Sequence, residues 1–127
     1  MEELLESKQT KEWLDYKQGF EKRNREKKEK LKRKFNLYLS YVEKVASMLY
    51  QDYKVKRVFL IGSLLDFNWF HQHSDIDIAV EGLNPSEYFQ ACLRIEKITD
   101  GEPFHLIDMK DISDEFKAKI MEKGKLL

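Results

Sequence analysis

The sequence has few cysteines, few prolines and no long apolar run, and these scarcities exclude several classes of protein. Its 127 residues include one cysteine, Cys92, so neither an intramolecular disulfide nor a cysteine metal cluster can form. No apolar run approaches the roughly 20 residues that span a bilayer. The N-terminus is acidic where a secretory signal would be basic. We therefore expect a soluble cytoplasmic protein with no membrane partner.

The sequence also lacks net charge, because 23 Lys and Arg residues balance 23 Asp and Glu residues. This balance excludes a uniformly basic nucleic-acid-binding surface and a uniformly acidic mimic. The charge is uneven, however, since residues 22–34 carry nine basic and two acidic side chains. This basic stretch predicts either a solvated helix or an electrostatic contact with RNA or an acidic partner. It contains no aromatic residue for base stacking, so the support for RNA is weak.

Residues 1–50 are predicted to form an N-terminal helical arm, because they contain no proline and a single glycine, Gly19. Their apolar residues repeat at helical spacing in two stripes. The longer stripe consists of Leu31, Phe35, Tyr38, Val42, Val45 and Leu49, and the shorter one of Trp13, Tyr16 and Phe20. The pattern fits one long helix or two helices joined near Gly19. The apolar faces either pack on the rest of the domain or bind a partner, so oligomerisation through the arm stays open.

Residues 51–127 are predicted to form a separate domain of mixed strands and helices. The strands are expected at residues 58–61, 76–80 and 104–109, and the helices at residues 84–98 and 114–123. Asn84 is the expected cap of the first helix, while Ser113 and Gly124 bound the second. The predicted fold class is α/β (α+β): a small mixed β-sheet with flanking helices, preceded by a long charged helix or helix pair.

Residues that can bind a metal and a phosphate lie at the ends of the first two predicted strands. Gly62 and Ser63 follow the first strand, and Ser74, Asp75 and Asp77 open the second. Two residues apart on a strand, both carboxylates point to the same face. Such a pair suits Mg²⁺, which keeps its other coordination positions for water and phosphates. A glycine lets backbone N–H groups approach a phosphate closely, and the serine adds a hydroxyl donor.

The segments 58–64 and 74–83 resemble the minimal nucleotidyltransferases of the DNA polymerase β superfamily, of the HEPN-associated, antitoxin-like type. Their signature is Gly-Ser, about ten residues, then Asp-x-Asp, and the resemblance covers roughly residues 54–126. It implies a nucleotidyltransferase-like fold, an NTP substrate, a HEPN-type protein partner and Mg²⁺ or Mn²⁺. It also implies that Asp75 and Asp77 are catalytic metal ligands and that Gly62, Ser63 and Ser74 bind the nucleotide.

The chain departs from this family pattern in three places. The linker 64–74 has eleven residues, and the Arg and Gly that commonly follow Gly-Ser are missing. His105 stands where the family's third catalytic Asp belongs. Strand alternation turns Asp108 away from the metal face if Phe104 and Leu106 face the core. Imidazole suits Zn²⁺ or Mn²⁺ better than Mg²⁺, so we expect binding of a metal–NTP complex rather than fast turnover.

The linker residues before Asp75 predict a surface loop close to the nucleotide. Trp69 or Phe70 would either anchor this loop or stack on a base. His71 and His73 have the spacing of a zinc pair, but no cysteine or third clustered ligand supports a zinc site.

Two functions follow from these patterns. The first is a metal-dependent nucleotidyltransferase that moves an NMP group from an NTP to an unidentified hydroxyl, for example on a partner protein of a toxin–antitoxin pair. The alternative is a catalytically weakened nucleotidyltransferase-fold module that acts as an antitoxin or regulator through its N-terminal helix. The presence of both metal acids favours the enzyme, with His105 as the third catalytic residue.

Overall fold

A computed structural model of the chain describes residues 2–127, and side chains from residue 8 onward. The chain divides into two compact units, Met1–Arg33 and Lys34–Leu127. Helix α1 (Glu2–Tyr53) contributes to both units and continues through Gly19, so the arm is one helix. Residues 34–50 of the predicted arm therefore group with the second unit. No helix in the described part of the chain is long and apolar enough to cross a membrane.

In the first unit the short aromatic stripe of α1 is exposed to solvent. The Trp13 and Tyr16 rings stack with centroids 6.2 Å apart, and those of Tyr16 and Phe20 with centroids 6.5 Å apart. The side chains of all three residues are about half exposed or more. Within this unit the stripe is therefore an apolar surface and not part of a core.

The second unit contains a four-stranded mixed sheet and two further helices. The elements are β1 (Arg57–Ile61), β2 (Ile76–Glu81), α2 (Tyr88–Ile98), β3 (Phe104–Asp108), α3 (Asp114–Lys123) and β4 (Lys125–Leu126). The strand order is β3-β2-β1-β4. Strand β1 is antiparallel to β2 and β4, while β2 and β3 are parallel. This confirms the predicted α+β fold class and adds a fourth strand that the sequence did not predict.

One face of the sheet forms the main core with α1 and α2. Its strand residues alternate along the ladders, as in Leu60 opposite Ile78 and Ile78 opposite Leu106. They are buried together with most of the longer stripe of α1, namely Phe35, Tyr38, Val42, Val45 and Leu49, and with Ala91 and Ile95 of α2. Tyr50 fastens α1 to the sheet, since its hydroxyl accepts from Val58 N at 2.9 Å. The stripe therefore serves the domain core.

The opposite face of the sheet carries a smaller core and leaves one end open. Phe59 and Ala79 pack there with Met109 and with Ile120 of α3. The ends of β1, β2 and β3 beside Asp77 are accessible, because Ile61, Asp77 and His105 line a cavity there. The sequence motifs that could bind a nucleotide lie at this open end.

The caps of the two short helices differ in how well the sequence predicted them. Ser113 Oγ accepts from Phe116 N at 3.1 Å and Gly124 N donates to Ile120 O at 2.8 Å, so α3 has the predicted bounds. Asn84 instead caps a 3-10 turn over Pro85–Glu87, and α2 begins only at Tyr88. The predicted helix start was wrong because the Asn84 side chain and carbonyl hold a tight turn, which a helix cap resembles in sequence.

Candidate functional site

The turn after β1 brings Gly62 against Asp77. Gly62 has φ +78°, a left-handed conformation that favours glycine. A Cβ built on it would lie 2.6 Å from Asp77 Oδ2, which is closer than real Cβ contacts. Glycine is therefore required here for two independent reasons, the backbone conformation and the approach of a carboxylate. This turn continues as a 3-10 helix over Gly62–Leu65.

Asp75, Asp77 and His105 converge at the open end of the sheet. In the ladders, Ile61 pairs with Asp77 and Asp77 pairs with His105, so the side chains of these three neighbours point to one face. His105 Nδ1 lies 2.9 Å from Asp77 Oδ1 and 3.8 Å from Asp75 Oδ2. The side chains of Asp75 and Asp77 are 37% and 29% exposed, which leaves oxygen atoms accessible from solvent.

The hydrogen bond to Asp77 fixes how His105 presents its ring. An ionised carboxylate can only accept, so Nδ1 must donate the proton in this bond. In the neutral ring, Nε2 then carries the lone pair. His105 therefore offers a hydrogen-bond or proton acceptor at Nε2 beside the two carboxylates, where the family pattern has a third acid.

Asp108 lies on the other face, as strand alternation predicted. It pairs with Val80 and is buried, and its Oδ1 accepts from Lys110 N at 3.0 Å. Lys110 Nζ approaches its other oxygen at 3.7 Å. This carboxylate is thus committed to the turn that ends β3 and does not join Asp75 and Asp77.

The two serines of the predicted site have different surroundings. Ser63 is half-buried in the turn after β1, and its carbonyl accepts from Asp66 N at 3.4 Å. Ser74 is buried, and its Oγ accepts from His71 N at 2.9 Å, so it holds the loop before β2. The nucleotide-binding roles of Gly62, Ser63 and Ser74 stay predictions.

The aromatic residues of the loop before β2 divide between anchoring and exposure. Phe70 is buried, with its ring 5.3 Å from Phe35 and 5.8 Å from Tyr38. Trp69 is 65% exposed and lines a cavity beside Asp77. Phe70 is therefore the anchor of the loop, and Trp69 is the exposed residue of the pair at the cavity.

Both histidines of this loop make hydrogen-bond contacts within the loop. His73 N donates to His71 Nδ1 at 3.2 Å, which occupies that nitrogen's lone pair. The Nε2 atom of His73 lies 3.1 Å from Gln72 Nε2.

A cavity of about 1070 Å³ opens beside Gly62, Asp77 and His105. Its walls come from the turn after β1, the ends of the central strands and α3. They consist of Ile61, Gly62, Leu65, Asp66, Trp69, Asp77, His105, Ile107, Phe116, Lys119, Ile120, Lys123, Gly124 and Lys125. The sequence reasoning missed the contribution of α3. The i, i+3, i+4, i+7 spacing of Phe116, Lys119, Ile120 and Lys123 marks one helical face and was the available signal.

The chemistry of the acids fits a hard divalent cation held only in part by protein. Within the described residues, no group of three or more histidine, cysteine or acidic side chains is arranged to hold a metal ion. Two accessible carboxylates two residues apart match Mg²⁺, which binds one or two carboxylates and completes its shell with water and substrate phosphates. The donor set thus suits a cation that arrives with a nucleotide.

Two crystal structures are among the solved structures that resemble this chain. One is of a mutant of the toxin–antitoxin MntA-HepT, at 26% identity and TM-score 0.53, with 67% of this chain and 69% of that chain covered. The other is of the toxin–antitoxin with AMP-PNP, at 25% identity and TM-score 0.53, with 66% of this chain and 70% of that chain covered. Among proteins of curated function, none matches this chain significantly.

The family comparison agrees with the motifs and with the fold. The sequence model of the family described as "Polymerase beta, Nucleotidyltransferase" matches residues 43–127, about two thirds of the chain. The match spans both the Gly62-Ser63 turn and the Asp75–Asp77 pair, so it confirms the resemblance inferred from these residues. The chain therefore belongs to the polymerase beta nucleotidyltransferase family.

Proposed function

We propose that this protein is a metal-dependent nucleotidyltransferase that moves an NMP group from an NTP to a hydroxyl acceptor. The observation that carries the proposal is the position of the two acids: Asp75 and Asp77 both lie within 4 Å of His105, and Asp77 also contacts the Gly62 turn and lines a cavity. The relative crystallised with AMP-PNP supports an adenine nucleotide as one substrate. Both relatives belong to toxin–antitoxin systems, and this supports a partner protein as the source of the acceptor hydroxyl.

Each site residue has a distinct role in this proposal. Asp75 and Asp77 would hold Mg²⁺ or Mn²⁺, which when bound neutralises phosphate charge and stabilises the attacking and leaving oxygens. Gly62 and Ser63 would offer backbone N–H groups and a hydroxyl to the phosphates. Trp69 supplies an exposed ring for the base. Ser74 holds the loop that precedes the two acids.

The transfer forms one bond and breaks one. The acceptor oxygen bonds to the α-phosphorus, the bond from this phosphorus to the bridging oxygen breaks, and pyrophosphate leaves. His105 Nε2 takes the proton of the acceptor hydroxyl, while Asp77 Oδ1 accepts from Nδ1 and holds the ring in the required tautomer. This arrangement follows the general logic of a histidine base oriented by a carboxylate.

The presence of His105 where the family has a third aspartate is expected to make nucleotidyl transfer slow. A third carboxylate would add a negative charge and two oxygen ligands, whereas a neutral imidazole adds neither. The chain is therefore expected to bind a metal–nucleotide complex well and to transfer the nucleotidyl group slowly.

A calorimetric titration tests the proposal. ATP, GTP, CTP and UTP would be titrated with Mg²⁺ and then Mn²⁺ into the wild type, Asp77→Asn and a control, Asp114→Asn. Asp114 is a fully exposed acid on α3, so its variant changes the net charge equally without touching the site. We expect metal-dependent binding that Asp77→Asn loses and Asp114→Asn keeps. A folded wild type that binds no nucleotide with either metal would overturn the proposal.

A second candidate function is an antitoxin or regulatory module that acts through α1. The exposed stack of Trp13, Tyr16 and Phe20 favours it, because such aromatic residues are enriched at protein interfaces. The toxin–antitoxin relatives support a protein partner, which the sequence resemblance implies is of HEPN type. A triple Ala variant of the stack would abolish a complex with that partner, measured by light scattering after gel filtration. Leu37→Ala, at another exposed apolar residue of α1, is the control, and a complex that survives the triple variant argues against this candidate.

A further inference from the structure

The turn that should hold phosphates lacks a cation, and α3 places two cations across the cavity from it. Lys119 and Lys123 line the cavity that contains Gly62 and Asp77. They are four residues apart on α3, so both project from one side of the helix. The turn after Gly62 provides an acid, Asp66, at the same cavity. Positive side-chain charge for a phosphate chain is thus available from α3.

The position of α3 is fixed by its own packing. Ile120, between the two lysines, is buried against Phe59 and Ala79 of the sheet. Ser113 caps the helix at one end and Gly124 closes it at the other. The stems of Lys119 and Lys123 therefore start from a helix that is anchored to the wall of the site, and only their flexible ends have to adapt to a ligand.

Ion pairing within the protein does not account for these two lysines. Within the described residues, no ion pair is found for Lys123, and Lys119 has only a solvent-exposed contact of 3.8 Å with Glu115. Exposed pairs of this kind contribute little. Lys117 differs, because it lies on the other side of α3, pairs with Asp114 and lines a separate cavity. It is the natural internal control.

Lys125 also borders the cavity, but its pairing with β1 directs its side chain to the other face of the sheet. It pairs with Leu60, whose side chain belongs to the main core on the opposite face of the sheet. Residues paired across antiparallel strands point to the same face. Of the three lysines that line the cavity, Lys119 and Lys123 are therefore the two that face the site.

We propose that Lys119 and Lys123 bind the phosphate chain of the nucleoside triphosphate and replace the cation that the Gly62 turn lacks. The inference rests on the proposed function and assigns a part of its site to α3. The phosphate chain would then lie between the metal held by Asp75 and Asp77 and the two lysines of α3. Charge-assisted contacts of this kind are among the stronger polar interactions.

The test uses inorganic tripolyphosphate as a probe, without metal and with a chelator present. Calorimetry would compare the wild type with Lys119→Gln/Lys123→Gln, Lys117→Gln and Glu115→Gln. We expect the double variant to weaken binding by about tenfold or more, and Lys117→Gln to change it by less than about twofold. Glu115→Gln should change binding by less than about twofold, because the exposed contact of Glu115 with Lys119 is weak. Binding that the double variant leaves unchanged would overturn the inference.

Two further measurements separate this inference from simpler explanations. Lys123 lies in the last turn of α3, where any cation stabilises the helix, so urea unfolding would show whether the double variant is still folded. Lys123→Gln should bind tripolyphosphate more weakly than the wild type. Lys123→Arg should bind it like the wild type, since arginine keeps the positive charge. If Mg²⁺–ATP binding depends on Asp77 but not on the lysines, the inference fails and the proposed function stands. If the wild type binds neither ATP nor tripolyphosphate, both fail.

Discussion

Gly62 and Asp77 fit together so closely that a Cβ on the glycine would lie 2.6 Å from Asp77 Oδ2. The contact joins the two halves of the family motif, the Gly-Ser turn and the Asp-x-Asp strand, in one local structure. Position 62 therefore requires glycine for a steric reason, in addition to the access that glycine gives to a phosphate. The carboxylate that would hold the metal is positioned by the same turn that would hold the phosphates.

Gly62→Ala is expected to displace Asp77 and abolish metal-dependent nucleotide binding. Gly101→Ala is the matched control, because Gly101 has a similar φ of +76° but nothing within 4 Å of the added Cβ. Both variants should lose roughly 1–2 kcal/mol of stability to the left-handed backbone, measured by urea unfolding. Only Gly62→Ala should lose more than this and stop binding nucleotide. Equal behaviour of the two variants would contradict the steric argument.

His105→Asp is expected to raise both Mg²⁺ affinity and the transfer rate. The new carboxylate adds a charge and oxygen ligands beside Asp75 and Asp77, and a gain of about tenfold in Mg²⁺ affinity corresponds to roughly 1.4 kcal/mol. Calorimetry with Mg²⁺ and ATP would measure it. His105→Asn, which removes the ring without adding charge, should show no gain in affinity and should lower the transfer rate. An unchanged affinity in the Asp variant would show that this position lies outside the metal site.

Asp108→Ala is expected to destabilise the protein without affecting nucleotide binding. Its loss removes the acceptor of a part-buried hydrogen bond from Lys110 N, and a typical hydrogen bond contributes about 0.5–1.5 kcal/mol to stability. The comparison is with Asp111→Ala at an exposed position of the same turn. Urea unfolding and ATP titration would be run on both. Loss of ATP binding from a folded Asp108→Ala protein would mean that Asp108, and not His105, completes the site.

Glu81 is expected to contribute to the acid sensitivity of the fold. Burial opposes its ionisation, but hydrogen bonds from Arg57 and Lys56 outweigh this and lower its pKa from the ordinary value of 4.5. Because the folded pKa is the lower one, the ionised group stabilises the fold above pH 4.5, and this contribution is lost as the pH falls through the folded value. In urea unfolding, Glu81→Gln should therefore weaken the acid dependence of stability. Equal acid dependence of stability in the wild type and in Glu81→Gln would contradict this prediction.

Most of the fold was predictable because its patterns are local. The stripe of α1, the alternation of β2 and the Ser113 cap each follow from spacing within one segment, and each is found in the structure. Strand β4 was missed because two residues cannot show a period. The start of α2 was misplaced because Asn84 favours a turn and a helix cap through the same hydrogen bond.

The site was predictable only where its residues share a short motif. The grouping of Asp75 and Asp77 follows from strand alternation, and the position of His105 from aligning β3 with the family pattern. The contact between Gly62 and Asp77 and the position of α3 at the cavity depend on tertiary packing. The spacing of residues along α3 marks one face of the helix, but it does not show what that face contacts.

The antiparallel pairing of β1 with β2 has a consequence for the order of folding. Contacts between β1 and β2, such as Ile61 with Asp77, join residues that are close in sequence. Forming them therefore costs less loop-closure entropy than packing α3 against β1. We expect Asp75, Asp77 and the Gly62 turn to come together in the folding transition state. The part of the cavity formed by Lys119 and Lys123 of α3 would form afterwards. Substitutions in the turn would then slow refolding, whereas those on α3 would mainly accelerate unfolding.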